Sequence, residues 1–186
     1  MPPKGSRPVS PAFEAEALAS LDSVYRTARR LTRDHADAED LVQETFLKAF
    51  RAADRFEPGT NLRAWLFTIL HNTARNRVRD RARDTVSVDS EAVERAAEQP
   101  APGGVVETPE TLMLRATLAP EIQAAIDELP AGFRQAVWLR DVEEFSYAEI
   151  ADMLEIPVGT VMSRISRGRR MLFNALAVRH AVAVNE

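Results

Sequence analysis

The chain has 186 residues, 45% of them apolar and 28% charged, enough for real cores in one or two small domains. It contains no cysteine, which excludes disulfides and thiolate-bound zinc and fits a reducing cytoplasm. No apolar run approaches a membrane span and MPPKGSRPVSP lacks the apolar core of a leader, so no membrane insertion is expected.

The formal net charge is −4, but the charges are segregated. Arg63 to Arg83 holds six arginines against Asp80, and Val158 to the C-terminus holds five arginines against Glu186. Arg140 to Glu155 holds six acids against Arg140, and Asp84 to Glu121 holds eight against Arg95 and Arg115. Such blocks predict local phosphate-binding patches on a chain that binds random DNA poorly by itself.

Residues 1–11 are rich in Pro and Ser and predict a disordered tail. From about Ala12 the pattern is helical, with Leu18, Leu21, Val24, Tyr25, Ala28 and Leu31 at steps of three and four, until a break at Thr32 to Ala36. Asp37 or Ala38 opens a second helix that runs to about Ala52. Its buried row is Val42, Phe46 and Ala49. Asp40, Gln43, Glu44 and Leu47 make a second row, where an apolar side chain among acids and an amide suits a protein partner.

Glu57, Pro58 and Gly59 make a turn, and Thr60 or Asn61 caps a long third helix reaching about Ala82. Leu62, Leu66, Ile69, Leu70 and Thr73 face inward. Trp65, Thr68, Asn72, Arg75, Asn76, Arg79 and Arg83 fall on another stripe. Guanidiniums hold phosphates, amides read base edges and a flat ring stacks on a base, so this stripe suits single-stranded or distorted DNA. Trp65 taken alone is equally well read as core.

Residues 84–107 change character, with two prolines, Gly103 and Gly104, and few large apolar side chains, and read as a flexible acidic linker. Thr108 and Pro109 look like a helix start. Helices are then expected over Pro120 to Leu129, Gly132 to Asp141, Ser146 to Leu154 and Val158 to about Val178, with Ser146 and Glu149 at capping-box spacing. The last two flank a tight turn at Glu155, Ile156 and Pro157, and the small Ala151 lets two helices approach. Val158, Val161, Met162 and Ile165 form an apolar face of the last helix, and Thr160, Ser163, Arg164 and Arg167 form a polar one. Helix, turn and basic helix in this order can place side chains in the major groove.

The sum is an all-α chain of seven or eight helices. Two small helical domains (12–83 and 108–180) are joined by the linker and followed by a tail at 181–186. Enzymatic options are thin. His35, His71 and His180 lack metal spacing, no glycine loop cradles a phosphate, and Glu143 and Glu144 read as solvated or as caps. No metal or cofactor is expected.

Three stretches, DAEDLVQETFLKAF, FEPGTNLRAWLFTILHNTARNRVRD and LPAGFRQAVWLRDVEEFSYAEIADMLEIPVGTVMSRISRGRR, resemble bacterial sigma factors of the extracytoplasmic-function type. These have only the two domains called regions 2 and 4. The resemblance implies a dissociable, non-catalytic subunit that binds RNA polymerase core and directs it to promoter DNA. Asp40, Gln43, Glu44 and Leu47 match the helix that binds a coiled coil of the largest polymerase subunit, and the polymerase flap is a second implied contact. Residues 53–60 and the helix after them match the −10 reader, where a base is flipped into a pocket. Asn61, Trp65, Asn72, Arg75, Asn76 and Arg79 are the implied melting and −10 contacts. Thr160, Ser163, Arg164 and Arg167 are the implied −35 contacts, with Arg169 and Arg170 as phosphate clamps. An anti-sigma factor that covers these faces is also implied.

Two other readings stay open on the residues alone. One is a stand-alone regulator using only the C-terminal helix-turn-helix, which would need strands or a ligand pocket in the N-terminal domain. The other is an RNA-binding adaptor using only the basic helix.

Overall fold

A computed structural model describes residues 10–32, 34–85 and 120–183. The described residues form eight α-helices and one short 3-10 turn, and the chain divides into two compact units after Thr85. The expected linker beyond Thr85 and the helix start at Thr108 and Pro109 lie outside the described residues.

The first unit contains α1 (Pro11–Ala19), α2 (Leu21–Leu31), α3 (His35–Arg51), a 3-10 turn (Ala53–Arg55) and α4 (Leu62–Thr85). α4 packs against all three preceding helices. Val24, Ala28, Leu41, Ala49, Leu62, Leu66, Phe67 and Leu70 are wholly buried between them. Each fully buried leucine or phenylalanine contributes about 1.5–3 kcal/mol, so these rows and not helix propensity decide the fold.

Three details differ from expectation, and one open alternative is decided. The first helix is two, parted at Ser20, whose hydroxyl turns back to the Glu16 carbonyl at 3.3 Å. Leu18 and Leu21 flank that corner and are exposed. α1 begins at Pro11, inside the expected tail, because Ser10 caps it: the Phe13 N–H donates to Ser10 Oγ at 3.2 Å. α3 begins at His35, before Asp37, because the carboxylate of Asp34 accepts the Asp37 N–H at 2.7 Å. At α4 the cap is Asn61, whose Oδ1 accepts the Ala64 N–H at 3.1 Å, while the Thr60 hydroxyl is spent on the Glu57 carbonyl.

The second unit contains α5 (Pro120–Asp127), α6 (Ala131–Asp141), α7 (Tyr147–Leu154) and α8 (Val158–Ala183). α8 packs against each of the other three. Ile126, Leu129, Val137, Trp138, Leu139, Phe145, Ile150, Met153, Val161 and Ile165 form the core. The capping box is present: Ser146 Oγ accepts the Glu149 N–H while the Glu149 carboxylate accepts the Ser146 N–H at 2.8 Å.

Glu155 closes α7 in the left-handed region at φ 54 and ψ 45. That is the position where a glycine would sit without steric cost. The apolar face of α8 is narrower than its sequence suggests. Val161 and Ile165 are buried, but Val158 and Met162 are exposed. Gly168 completes the buried stripe, because a Cβ there would stand 2.6 Å from Val137 Cγ2. Glu143, read as solvated or a cap, is instead 1% exposed.

Candidate nucleic-acid and partner interfaces

Alternate residues from Arg75 to Arg83 are arginine, and a helix of 3.6 residues per turn sorts them onto two sides. Arg77 and Arg81 turn to α3. The Arg77 guanidinium donates to the Glu44 carboxylate at 2.8 Å and to the Asp40 carbonyl at 2.9 Å. Arg81 grips Asp37 with two bonds, of 2.7 and 3.2 Å. Arg75, Arg79 and Arg83 stay exposed on the opposite side. There Arg75 donates to Asn72 Oδ1, and Arg79 donates to Asn76 Oδ1 at 2.9 Å. These i, i+3 pairs place two amides and two guanidiniums side by side on one outward surface.

Trp65 begins that surface but is half-buried. Its ring centroid lies 5.5 Å from Phe56 and 6.1 Å from Phe13. Asn61 Oδ1 caps the helix by accepting the Ala64 N–H at 3.1 Å. His71 is 5% exposed, and burial, aided by the Arg75 charge, pushes its pKa down to about 4. It is a neutral core group at neutral pH and cannot serve as a cation toward DNA.

On α3, Asp40, Gln43 and Leu47 are exposed, Leu47 to 49%. Glu44 is different. Burial acts to raise its pKa, but hydrogen bonds from Lys48 and Arg77 outweigh this and hold the carboxyl below its ordinary value. Its two oxygens lie 2.7 Å from Lys48 Nζ and 2.7 Å from Arg77 Nη2. The expected partner row is therefore three outward side chains plus one that ties α3 to α4.

In the second unit, Ser163, Arg167 and Arg170 are exposed, and Thr160 and Arg164 are half-buried. Ser163 Oγ donates to the Thr160 carbonyl at 3.0 Å. The Arg164 guanidinium lies back over Gly132 at the start of α6, 3.4 Å from where a Cβ would be. Arg169 stands nine residues from Thr160, about half a turn away round the helix. It binds Asp141 with both carboxylate oxygens, Nε to Oδ2 at 3.0 Å, and that hydrogen bond raises its pKa above the ordinary arginine value. Thr160, Ser163, Arg164 and Arg167 thus share one side of α8, while Arg169, on the other, braces α8 against α6.

Sequence reasoning missed Phe13 and Gly168. Gly168 falls seven residues after Val161 and three after Ile165, a spacing that could have marked it, whereas the ring contacts of Phe13 are long-range and unmarked in the sequence.

The sequence matches Sigma-70 region 2 over residues 18–84 and Sigma-70 region 4 over residues 120–172. It is 40% identical over 141 residues to the ECF RNA polymerase sigma-E factor of Escherichia coli, covering 74% of this chain and 73% of that protein. The chain belongs to the extracytoplasmic-function (ECF) sigma factors of the sigma-70 family. Another ECF relative, SigE of Mycolicibacterium smegmatis, is 40% identical over 174 residues. That match covers 93% of this chain but 65% of the relative, so the chain spans less than two thirds of it. Among solved structures, the sigma factor RpoE of Bartonella quintana, crystallised with the anti-sigma factor NepR, superposes with a TM-score of 0.66 at 35% identity. The superposition covers 91% of this ECF chain and 99% of RpoE. Within the ECF frame, α3 and α4 fall in region 2, and α5 to α8 up to residue 172 fall in region 4. Among the described residues no group of acids and histidines could hold a metal, and no helix is long and apolar enough to cross a membrane.

Proposed function

We propose that this ECF sigma factor binds RNA polymerase core in the cytoplasm and directs it to promoters, the polymerase supplying all of the chemistry. Asp40, Gln43 and Leu47 offer the outward docking row to the largest-subunit coiled coil, and Glu44 holds that row in register through Arg77. Asn61, Trp65, Asn72, Arg75, Asn76 and Arg79 form the −10 surface. Flipping a base out of the stack costs a few kcal/mol, and oriented amides with a flanking ring offset that cost without first being ordered. Thr160, Ser163, Arg164 and Arg167 read the −35 element in the major groove, and Arg170 holds a phosphate. Arg169, expected beside it as a clamp, braces the helix through Asp141.

The observation that carries this reading is the division of labour along α4. Its inward arginines are consumed by α3, and two of its three outward ones, Arg75 and Arg79, are paired with the asparagines that would meet bases. A duplex-binding regulator has no use for that surface, and an RNA adaptor has no use for a second module built to enter a major groove. An inhibitory protein covering these faces fits the NepR complex of the similar RpoE. Run-off transcription with purified core polymerase on a genomic fragment pool tests the reading. Specific transcripts that depend on this chain are expected. No association with core and no transcript would refute it.

A further inference from the structure

We propose that Phe13 is a positioning residue for −10 recognition, the hub that sets the stance of the loop at 53–60 and of Trp65. This rests on the −10 reading given above. Phe13 precedes residue 18, where the region 2 match begins, so nothing in that match assigns it a part. Yet its ring is 8% exposed and stands edge-on to three others. The centroids lie 6.0 Å from Phe50 near the end of α3, 5.7 Å from Phe56 in the loop and 6.1 Å from Trp65 in the first turn of α4. The interplanar angles are 69°, 62° and 72°. One side chain thus touches the segment before the loop, the loop itself and the segment after it.

The placement of that ring is locally determined. Pro11 opens α1 with its dihedral already helical, and Ser10 Oγ takes the Phe13 N–H at 3.2 Å, so the helix has one starting register. Ala17, one turn on, is wholly buried and seats the same face on the unit. The loop closes on itself: the Phe56 N–H reaches the Ala53 carbonyl, and the Thr60 N–H and hydroxyl reach the Glu57 carbonyl. What ties this closed loop to the body of the unit is its ring, Phe56, packed against both Phe13 and Trp65. Edge-to-face pairs have a preferred geometry beyond their buried area. Three of them around one ring therefore orient Phe56 and Trp65 as well as bury them. A base-accepting surface must keep its shape before the base arrives, and Phe13 supplies the wall that keeps it.

The test uses the full chain with purified polymerase core. Phe13→Ala should lower opening of the −10 region about tenfold, read as permanganate reactivity of its thymines. It should also narrow the discrimination between intact and base-substituted −10 elements. Core affinity should change less than twofold, since the docking row lies on α3. Trp65 emission, read in a Trp138→Phe background without polymerase, should move to the red. Phe13→Leu, which keeps most of the apolar volume but has no ring edge, should fall between Ala and wild type. If Phe13→Ala fails to fold by circular dichroism, Phe13→Leu decides, with the same split required. Unchanged opening overturns the inference, as does an equal loss of core affinity and opening. A wild-type holoenzyme that opens no promoter overturns the −10 reading and this inference with it.

Discussion

The same substitution at two glycines of one helix should move stability in opposite directions. Gly159 and Gly168 both lie in α8. A Cβ on Gly159 would meet nothing within 4 Å. Alanine there removes glycine's excess backbone entropy, which in a helix interior amounts to about 0.5–1 kcal/mol, and less at this first turn. A Cβ on Gly168 would stand 2.6 Å from Val137 Cγ2 and 3.4 Å from Phe133 Cβ. Val137 is 1% exposed and β-branched, so it cannot swing away, and α6 must shift instead. Overpacking of this kind costs about 1–3 kcal/mol, against which the propensity gain is at most about 1. The expected result is Gly159→Ala more stable by a few tenths and Gly168→Ala less stable by about 1–2 kcal/mol. Urea titration followed by Trp138 emission in a Trp65→Phe background reports on the second unit alone, since Trp138 sits in α6. The decisive control is Gly168→Ala with Val137→Ala, which should lose less than the sum of the two singles. A Gly168→Ala variant as stable as wild type would refute the close approach of α6 and α8.

Glu155→Gly should raise the stability of the second unit by about 1 kcal/mol, because a left-handed residue with a Cβ costs about 1–2 kcal/mol that glycine avoids; thermal melts check this. His71 has its folded pKa lowered to about 4 from an ordinary 6.5, so the unfolded chain binds the extra proton between those values. Stability therefore falls with pH below about 6.5, losing about 2 kcal/mol between pH 7 and pH 5, and His71→Gln should flatten that part of the urea midpoint profile. Arg164→Ala should cost about 1–3 kcal/mol at the −35 element if its guanidinium leaves Gly132 for a guanine edge, and footprinting on −35 variants would show whether base preference changes. Glu44→Ala and Arg77→Ala should weaken core binding non-additively in a double-mutant cycle, whereas additive losses would make Glu44 a direct polymerase contact.

Much of the fold was readable before any coordinates, for physical reasons that differ by element. The capping box of α7 and most of the inward row of α4 are local signals: a hydroxyl three residues before a glutamate, and Leu62, Leu66, Leu70 and Thr73 at helical spacing, though Ile69 is half-buried and Phe67 and His71 take buried places the row did not include. The corner at Ser20 was not readable. The periodicity of Leu18 and Leu21 runs straight across it, and only the solvation of both leucines shows that the period no longer describes one helix. Val158 and Met162 misled in the same way. They extend the stripe of Val161 and Ile165 but stay exposed, and a wheel cannot say how wide the neighbouring surface is. The outward row of α4 was legible as a row. That Trp65 shares itself between this row and a ring cluster was not, because Phe13 lies 52 residues away in the chain. The outward position of Asp40, Gln43 and Leu47 was legible too, but the occupation of Glu44 by Arg77 depends on helix crossing, which sequence spacing does not encode.

The alternation of arginine along α4 changes how the electrostatics of strand capture should be counted. Five guanidiniums lie between Arg75 and Arg83, but two of them are tied to α3, so under the proposed −10 reading at most three face an opened strand. For single-stranded DNA each neutralised phosphate contributes about 0.7 to the logarithmic salt slope, so this helix supplies a slope of about 2 where a count of its charges gives about 3.5. Its grip on an opened strand should fade more gently with ionic strength than its composition suggests, and neutralising Arg77 or Arg81 should leave that slope where it was.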